Sequence, residues 1–134
     1  MNRNSIGRGL LVFGIVTGLI SFWYTLEFTW TPEFRATELE IGPTHSNYHA
    51  FREAMLALAV NLLLVWALIK GTSIKIEVWA TTTFMAVFYY IGWWLPWPIW
   101  GFHAPYLTAE VNHLVATIGG LGGLFVIKPG INQD

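Results

Sequence analysis

Four apolar segments, each about 20 residues long, limit the possible folds of this chain more than any other feature. They cover roughly residues 9–30, 50–69, 76–95 and 106–127. A helix of about 20 residues crosses the roughly 30 Å of hydrocarbon in a bilayer, and it satisfies every backbone hydrogen bond within the segment. The pattern therefore predicts an all-α fold, in which a single domain forms an integral membrane bundle of four transmembrane helices.

The composition agrees with a lipid environment. Hydrophobic residues make up 54% of the 134 residues and charged residues only 11%, with a mean hydropathy of +0.51. A soluble domain carries about 25% charged residues, and so short a chain cannot bury this much apolar surface in one aqueous core. The first segment is too long for the apolar region of a signal peptide and no A-x-A site follows it, so we expect a retained helix.

Several functions are excluded or left without support. A net charge of −1 offers no basic surface for nucleic acid. The absence of cysteine excludes disulfides, thiolate metal sites and iron–sulfur clusters. The sequence contains no GxSxG motif, P-loop or Rossmann glycine pattern. Histidine and carboxylate side chains remain, and these are suitable ligands for copper, iron or zinc.

The basic residues predict the orientation of the helices. Five of the seven fall at one end of the predicted bundle: Arg3, Arg8, Lys70, Lys75 and Lys128. By the positive-inside rule, both termini and the turn at 70–75 are cytoplasmic, and the segments 31–49 and 96–105 face outward. Six tryptophans would then form an aromatic belt at the outer surface: Trp23, Trp30, Trp93, Trp94, Trp97 and Trp100. We expect a bacterial or archaeal cytoplasmic membrane, or an intracytoplasmic one.

In this topology all four histidines and six of the eight acids fall on the outward side. His49 and Glu53, four residues apart, share one face of the second helix, and Asn61 continues that face two turns deeper. Glu110 and His113, three residues apart, share one face of the fourth helix. Glu53 and the Glu110–His113 pair lie at similar depths, and ionisable residues at such depths normally face the bundle interior.

Carboxylate and imidazole groups from two helices are a recurrent way to build a metal site in a helical bundle. The predicted metal ligands are His45, His49, Glu53, His103, Glu110 and His113, with Glu40 and Asn61 as secondary candidates. Plainer roles compete with this hypothesis. His45 and Glu40 suit an exposed loop, His103 suits the lining of a turn, and Glu53, Glu110 and His113 could join helices by hydrogen bonds alone. No catalytic residue can be assigned from the sequence.

Two glycine patterns predict close helix packing. Gly14-x-x-x-Gly18 lies in the first helix and Gly119-x-x-x-Gly123 in the fourth. Small residues at this spacing let two helix backbones approach closely in a membrane. The partner surfaces lie either within the chain or on other membrane subunits, and the number of glycines favours membership of a larger complex.

The stretch Glu40-Ile-Gly-Pro43-Thr44-His45, followed by His49 and the second apolar segment, resembles the C subunit of the copper membrane monooxygenases. This family includes the particulate methane and ammonia monooxygenases. Its subunit has an outward segment, then a carboxylate and a Pro-Ser/Ala-His sequence that opens the next helix. The resemblance covers roughly residues 9–127. The chain departs from the family in having Glu40 where the family has Asp, in lacking a clear Asn-His pair before the outer loop, and in being much shorter.

The resemblance implies that copper binds to His45, His49 and either Glu40 or Glu53. Glu110, His113 and His103 would then form a second site or orient the ligands. It also implies a metal that activates dioxygen against a small apolar substrate. Iron is an alternative metal, and a haem between His49 and His113 is a variant.

The functional hypothesis is a small subunit of a membrane oxidoreductase complex with a His/Glu metal site near the outer face, and copper is the metal expected. One alternative is a structural or assembly subunit without a cofactor. A proton-linked transporter that uses Glu53 and Glu110 has less support, because no midplane helix break or inverted repeat is visible. The expected partners are the lipid bilayer and other membrane subunits.

Overall fold

The computed structural model describes residues 2–28, 45–104 and 106–130, with the backbone alone for Phe28 and His45. Within these residues the protein is all helical. Four long helices are α1 (Arg3–Phe28), α2 (His45–Lys70), α3 (Ile76–Trp94) and α5 (Leu107–Ile127), and a short helix α4 (Pro96–Trp100) lies between the last two. A short 3-10 turn, Gly71–Ser73, lies between α2 and α3. The all-α prediction is confirmed.

Three of the described helical segments are long and apolar enough to cross a membrane. They are Arg3–Glu27, Ser46–Ser73 and Leu107–Ile127, and they indicate a bilayer environment. Helix α3, predicted to be a further span, is 19 residues long but is not among them. Its three tryptophans, two tyrosines and three threonines make it less apolar on a hydropathy scale than an aliphatic helix of the same length.

Two helices begin before the predicted segments. Helix α1 begins at Arg3 and not near residue 9, because the Asn2 side chain accepts a hydrogen bond from the Ser5 amide (2.8 Å) and caps the helix. Helix α2 begins at His45, within the predicted outward segment 31–49. Residues 31–44 of that segment lie outside the described residues.

Helix α4 lies within the other predicted outward segment, 96–105. Pro96 and Pro98 fix backbone angles suited to the first turn of a helix. Gly101 then ends the helix with a φ of +73°, a conformation that glycine adopts without steric cost. A sequence search for long apolar runs does not detect so short a helix.

The closest helix packing occurs between α1 and α5, and glycines make it possible. A Cβ atom added to Gly14 would lie 2.8 Å from the carbonyl carbon of Gly119 and from Cα of Gly120. One to two turns along the seam, Gly123 packs against Leu11 in the same way. Gly14 of the first pattern and both glycines of the second therefore pack at one seam within the chain, whereas Gly18 faces Asn61 of α2.

Large and small apolar side chains from α1, α2, α3 and α5 form one core in the middle of the bundle. The buried members include Leu11, Ile15, Val60, Leu64, Ala86, Tyr90, Ala116 and Leu124. Alanines and glycines bring the helices together, and the leucines fill the remaining space. This core separates two polar ends of the bundle, which we call the Arg8 end and the His113 end.

At the Arg8 end, side chains of α1 satisfy backbone carbonyls at the C-termini of its neighbours. Arg8 Nη2 donates to the carbonyl oxygen of Ile69 at 2.7 Å. Arg3 Nε donates to that of Val126 at 2.6 Å, and Arg3 Nη2 donates to that of Lys128. The last carbonyls of a helix have no partner within the helix and carry partial negative charge. Cationic side chains are therefore favourable there, and they hold α1 against α2 and α5.

Candidate functional site

A cavity of about 650 Å³ opens at the His113 end, and we call it the polar cavity. Each of the four long helices contributes a side chain to its wall: Ser21 from α1, Glu53 from α2, Trp93 from α3 and His113 from α5. The described residues that line it are Ile20, Ser21, Tyr24, Thr25, Glu27, Glu53, Trp93, Tyr106, Thr108, Ala109, Asn112 and His113. The volume lies within the range of small-molecule sites, about 300–1,000 Å³.

His113 is held in a fixed orientation at the wall of this cavity. Its Nε2 lies 3.0 Å from Ser21 Oγ, so a hydrogen bond joins α5 to α1. One face of the imidazole stacks on the Trp93 indole, with ring centroids 4.2 Å apart and an angle of 16° between the planes. When Nε2 donates its proton to Ser21, Nδ1 keeps its lone pair. Such an outer hydrogen bond is how proteins usually orient a metal-binding or proton-accepting histidine.

Two further polar contacts fix the helices around His113. Asn112 Nδ2 donates to the backbone oxygen of Thr17 at 2.9 Å, again between α5 and α1. Trp94 Nε1 donates to Thr117 Oγ1 at 3.1 Å, which joins α3 to α5, and Thr117 Oγ1 donates back to the His113 carbonyl at 2.7 Å. Asn112, directly before His113, is therefore anchored to α1, and Thr117, about one turn after His113, is anchored to α3.

Glu53 lines the polar cavity from α2, whereas its predicted partner His49 does not. Glu53 is seven residues past Ser46, where the apolar span of α2 begins, so it lies roughly 10 Å along the helix. His49, one turn earlier, is exposed and makes an edge contact with the Tyr48 ring at 5.5 Å. Of the predicted His49–Glu53 pair, only Glu53 is among the described residues that line the polar cavity.

The structure also assigns Glu110 a different partner from the one that spacing suggested. Glu110 Oε1 lies 3.0 Å from Nδ1 of His103, so the pair ties the segment after α4 to the first turn of α5. The Trp97 ring lies 5.2 Å from the His103 ring. Neither Glu110 nor His103 is among the residues that line the polar cavity.

Asn61 lies deeper in the bundle than the polar cavity and does not line it. Its side chain is 1% exposed, and Nδ2 donates to the Ala57 carbonyl of its own helix at 2.9 Å. Its Oδ1 lies 2.6 Å from where a Cβ of Gly18 would be. Asn61 therefore fills the notch that Gly18 leaves in α1, which is a packing role.

Among the described residues, no three histidine, aspartate or glutamate side chains are grouped so that they could hold a metal ion. Glu40 and the side chain of His45 lie outside the described residues. Of the predicted ligands that the structure describes, Glu53 and His113 share the polar cavity, Glu110 and His103 pair with each other, and His49 is not among the lining residues.

Sequence reasoning missed three residues that shape the site: Ser21, Asn112 and Trp93. The sequence could have indicated Ser21 and Asn112, because each is a polar residue within an apolar helix and such residues usually form a hydrogen bond to another helix. Trp93 was assigned to an aromatic belt, and its stacking on His113 depends on the relative rotation of α3 and α5. No motif in either helix specifies that rotation.

Comparison of the chain with protein-family models, curated proteins and solved structures gave no match.

Proposed function

We propose that this protein is a four-span subunit of a membrane oxidoreductase complex, and that it holds a metal ion in the polar cavity. The observation that carries the proposal is the presence of Glu53 and His113, from two different helices, in the wall of one cavity. A carboxylate and an imidazole from facing helices are ordinary ligands in helical metal proteins. Both termini are cytoplasmic in this proposal, and α3 is the fourth span.

The setting of His113 supports a ligand role. Ser21 and Trp93 fix the ring, and in the tautomer that donates from Nε2 to Ser21, Nδ1 is the nitrogen with the free lone pair. Two protein ligands leave coordination positions for solvent, for a substrate or for a side chain of a partner subunit. Open positions are a common feature of catalytic metal sites.

Copper is the metal proposed first. Imidazole with a carboxylate suits copper and iron, and the resemblance to the C subunit of the copper membrane monooxygenases favours copper. Bound copper would supply one-electron chemistry and activation of dioxygen. The residues of this chain would hold it, orient it and exclude water around it.

The metal content of the protein tests this proposal. The protein, purified in mild detergent with any partners it retains, is loaded with Cu(II), dialysed and analysed for metal per chain. We expect close to one copper per chain in the wild type and a loss of most of it in Glu53→Gln and in His113→Gln. The matched control is Glu77→Gln, because Glu77 is an exposed carboxylate in the first turn of α3, away from the cavity. Equal copper in all four proteins would contradict the proposal.

A structural subunit is the second candidate, and a specific observation favours it. The polar groups around His113 already serve as bonds between helices: His113 to Ser21, Asn112 to Thr17 and Trp94 to Thr117. In this case His113→Gln would lower the melting temperature, and the metal content would be negligible in every variant.

A further inference from the structure

The five cations at the Arg8 end fall into two groups with different surroundings. Arg3 and Arg8 donate hydrogen bonds to backbone carbonyls at the ends of α5 and α2. The ammonium groups of Lys70, Lys75 and Lys128 form no hydrogen bond or ion pair with any described residue, and all three side chains are exposed. Three positive charges are therefore available to a ligand outside the chain.

The turn between α2 and α3 holds two of these lysines in place. Ile74 is 2% exposed and belongs to the core. The backbone amide of Thr72 donates to Asn4 Oδ1 of α1 at 3.1 Å. Because both contacts fix the turn against the bundle, Lys70 and Lys75 keep constant positions on its two sides.

The lysines also lie beside tryptophan rings. The carbonyl of Lys75 accepts a hydrogen bond from the Trp79 amide at 2.9 Å, and Lys128 Nζ lies 5.4 Å from the centroid of the Trp79 ring. Lys75 and Lys128 therefore lie at neighbouring helix ends around one indole. Lys70 Nζ lies 5.7 Å from the centroid of the Trp66 ring. Tryptophan rings and the extended side chains of lysine are typical of the headgroup level of a membrane.

The ends of the apolar spans give the same level. The span of α2 ends at Ser73 and that of α5 ends at Ile127. Lys70 precedes the first of these ends by three residues, and Lys128 directly follows the second. Since the headgroups of a bilayer begin where its hydrocarbon core ends, the lysines lie at the depth of the lipid phosphodiesters.

The sequence around this end of the bundle has an excess of positive charge. Residues 1–8, 70–77 and 128–134 contain five lysines and arginines and two acids, Glu77 and Asp134. The connection from α1 to α2 leaves and re-enters the bundle at the His113 end. Basic clusters directly beside membrane helices attract anionic lipid headgroups. The charge of the Arg8 end therefore complements an anionic bilayer surface.

We infer that Lys70, Lys75 and Lys128 form a binding surface for an anionic phospholipid, and we call it the lysine surface. The ammonium groups contact the phosphodiester, and the acyl chains lie along the bundle. A lipid fits better than a soluble acidic protein, because exposed apolar side chains, Ile69 and Ile76, directly adjoin two of the lysines and continue the surface into the hydrocarbon. This inference goes beyond the proposed function, since it concerns the opposite end of the bundle from the polar cavity.

Two phospholipids with identical acyl chains test the inference. The full chain, freed of lipid in uncharged maltoside micelles, is titrated at pH 7 with phosphatidylglycerol or with phosphatidylcholine, and native mass spectrometry measures the lipid-bound fraction. We expect phosphatidylglycerol to bind about tenfold or more tightly, because each lysine near an anionic headgroup contributes about fivefold. A higher ionic strength should reduce this preference, because exposed charges are screened.

Variants locate the effect on the lysine surface. Lys128→Gln should lower the preference for phosphatidylglycerol by about fivefold. Its matched control is Arg52→Gln, because Arg52 is also an exposed cation over an aromatic ring, 5.6 Å from the Tyr48 centroid, but lies at the His113 end. This control should keep the full preference. Replacing all three lysines by glutamine should remove most of the preference, whereas replacing all three by arginine should retain it.

The inference is overturned if the wild type binds both lipids equally, as expected if the lysines serve a soluble acidic protein. It is also overturned if Lys128→Gln and Arg52→Gln lower the preference by the same factor. The lipid and metal proposals fail separately. The glutamine variant of the three lysines should keep its copper, and Glu53→Gln and His113→Gln should keep the lipid preference.

Discussion

At the scale of single residues, buried polar groups differ in whether they have a partner. Trp79 Nε1 donates to the Leu124 carbonyl at 2.8 Å, and this carbonyl belongs to the last turn of α5, where it has no partner within the helix. In the described part of the chain, the Tyr90 hydroxyl has no hydrogen-bond partner and is packed against Gly120. The two side chains should therefore respond differently to loss of the polar atom.

We predict that Tyr90→Phe changes the free energy of unfolding by less than about 0.5 kcal/mol, because the lost hydroxyl makes no bond. Trp79→Phe should cost about 1–3 kcal/mol, because it leaves the Leu124 carbonyl without a donor. Denaturation in mixed micelles, followed by circular dichroism, measures both. A larger loss for Tyr90→Phe than for Trp79→Phe would contradict this assignment of partners.

Residue-scale features were the least predictable from the sequence. The spacing of His49 and Glu53 placed them on one side of α2. Residues four apart on a helix still differ in direction by about 40°, so one of them can line a cavity when the other does not. Whether each lines a cavity depends on where α1 and α5 lie. Likewise, spacing along α5 suggested His113 as the partner of Glu110, whereas the Glu110 carboxylate contacts His103, which lies before the helix.

At the scale of elements, the seam between α1 and α5 determines how the bundle is assembled. Gly14 and Gly119 allow backbone-to-backbone approach, and the polar contacts of Ser21 and Asn112 lie further along the same seam. The glycine spacing indicated close packing in advance. It could not identify the partner helix, because a small-xxx-small face fits any other such face.

Gly14→Ala tests this seam. The added methyl group would meet backbone atoms of Gly119 and Gly120, which cannot move aside as a flexible side chain can, so we expect a loss of about 1–3 kcal/mol in stability. Gly9→Ala is the matched control on the same helix, because no atom lies within 4 Å of its added Cβ. It should be neutral or raise stability by up to about 1 kcal/mol through helix propensity.

The measurement is again the denaturation midpoint in micelles. A second readout follows from the site: because Ser21 reaches His113 across the seam, Gly14→Ala should also weaken copper binding. If Gly14→Ala and Gly9→Ala had equal stability, α1 and α5 would not pack through these glycines.

At the scale of the whole molecule, length and hydropathy predicted the helical membrane class and the approximate positions of the four long helices. The ends of the helices were less predictable, because caps and turn residues determine them. Asn2 extends α1 to Arg3, and Gly101 with Pro96 creates α4. The orientation in the membrane and the role of α3 as a span are proposals that depend on the distribution of basic residues and aromatics.

The absence of cysteine makes this topology directly measurable. Single cysteines at exposed positions, Lys75→Cys before α3 and Phe102→Cys after α4, are labelled in intact cells or spheroplasts with a membrane-impermeant maleimide. We expect labelling of Phe102→Cys without lysis and of Lys75→Cys only after lysis. Labelling of both from the same side would mean that α3 does not cross the membrane.

The central claim is that Glu53 and His113 act together on one bound species in the polar cavity. Electron paramagnetic resonance of the Cu(II)-loaded protein tests it most directly, because nitrogen couplings identify an imidazole ligand. We predict the coupling of one imidazole in the wild type, its loss in His113→Gln, and an altered copper signal that retains this coupling in Glu53→Gln. An unchanged imidazole coupling in His113→Gln would contradict the claim.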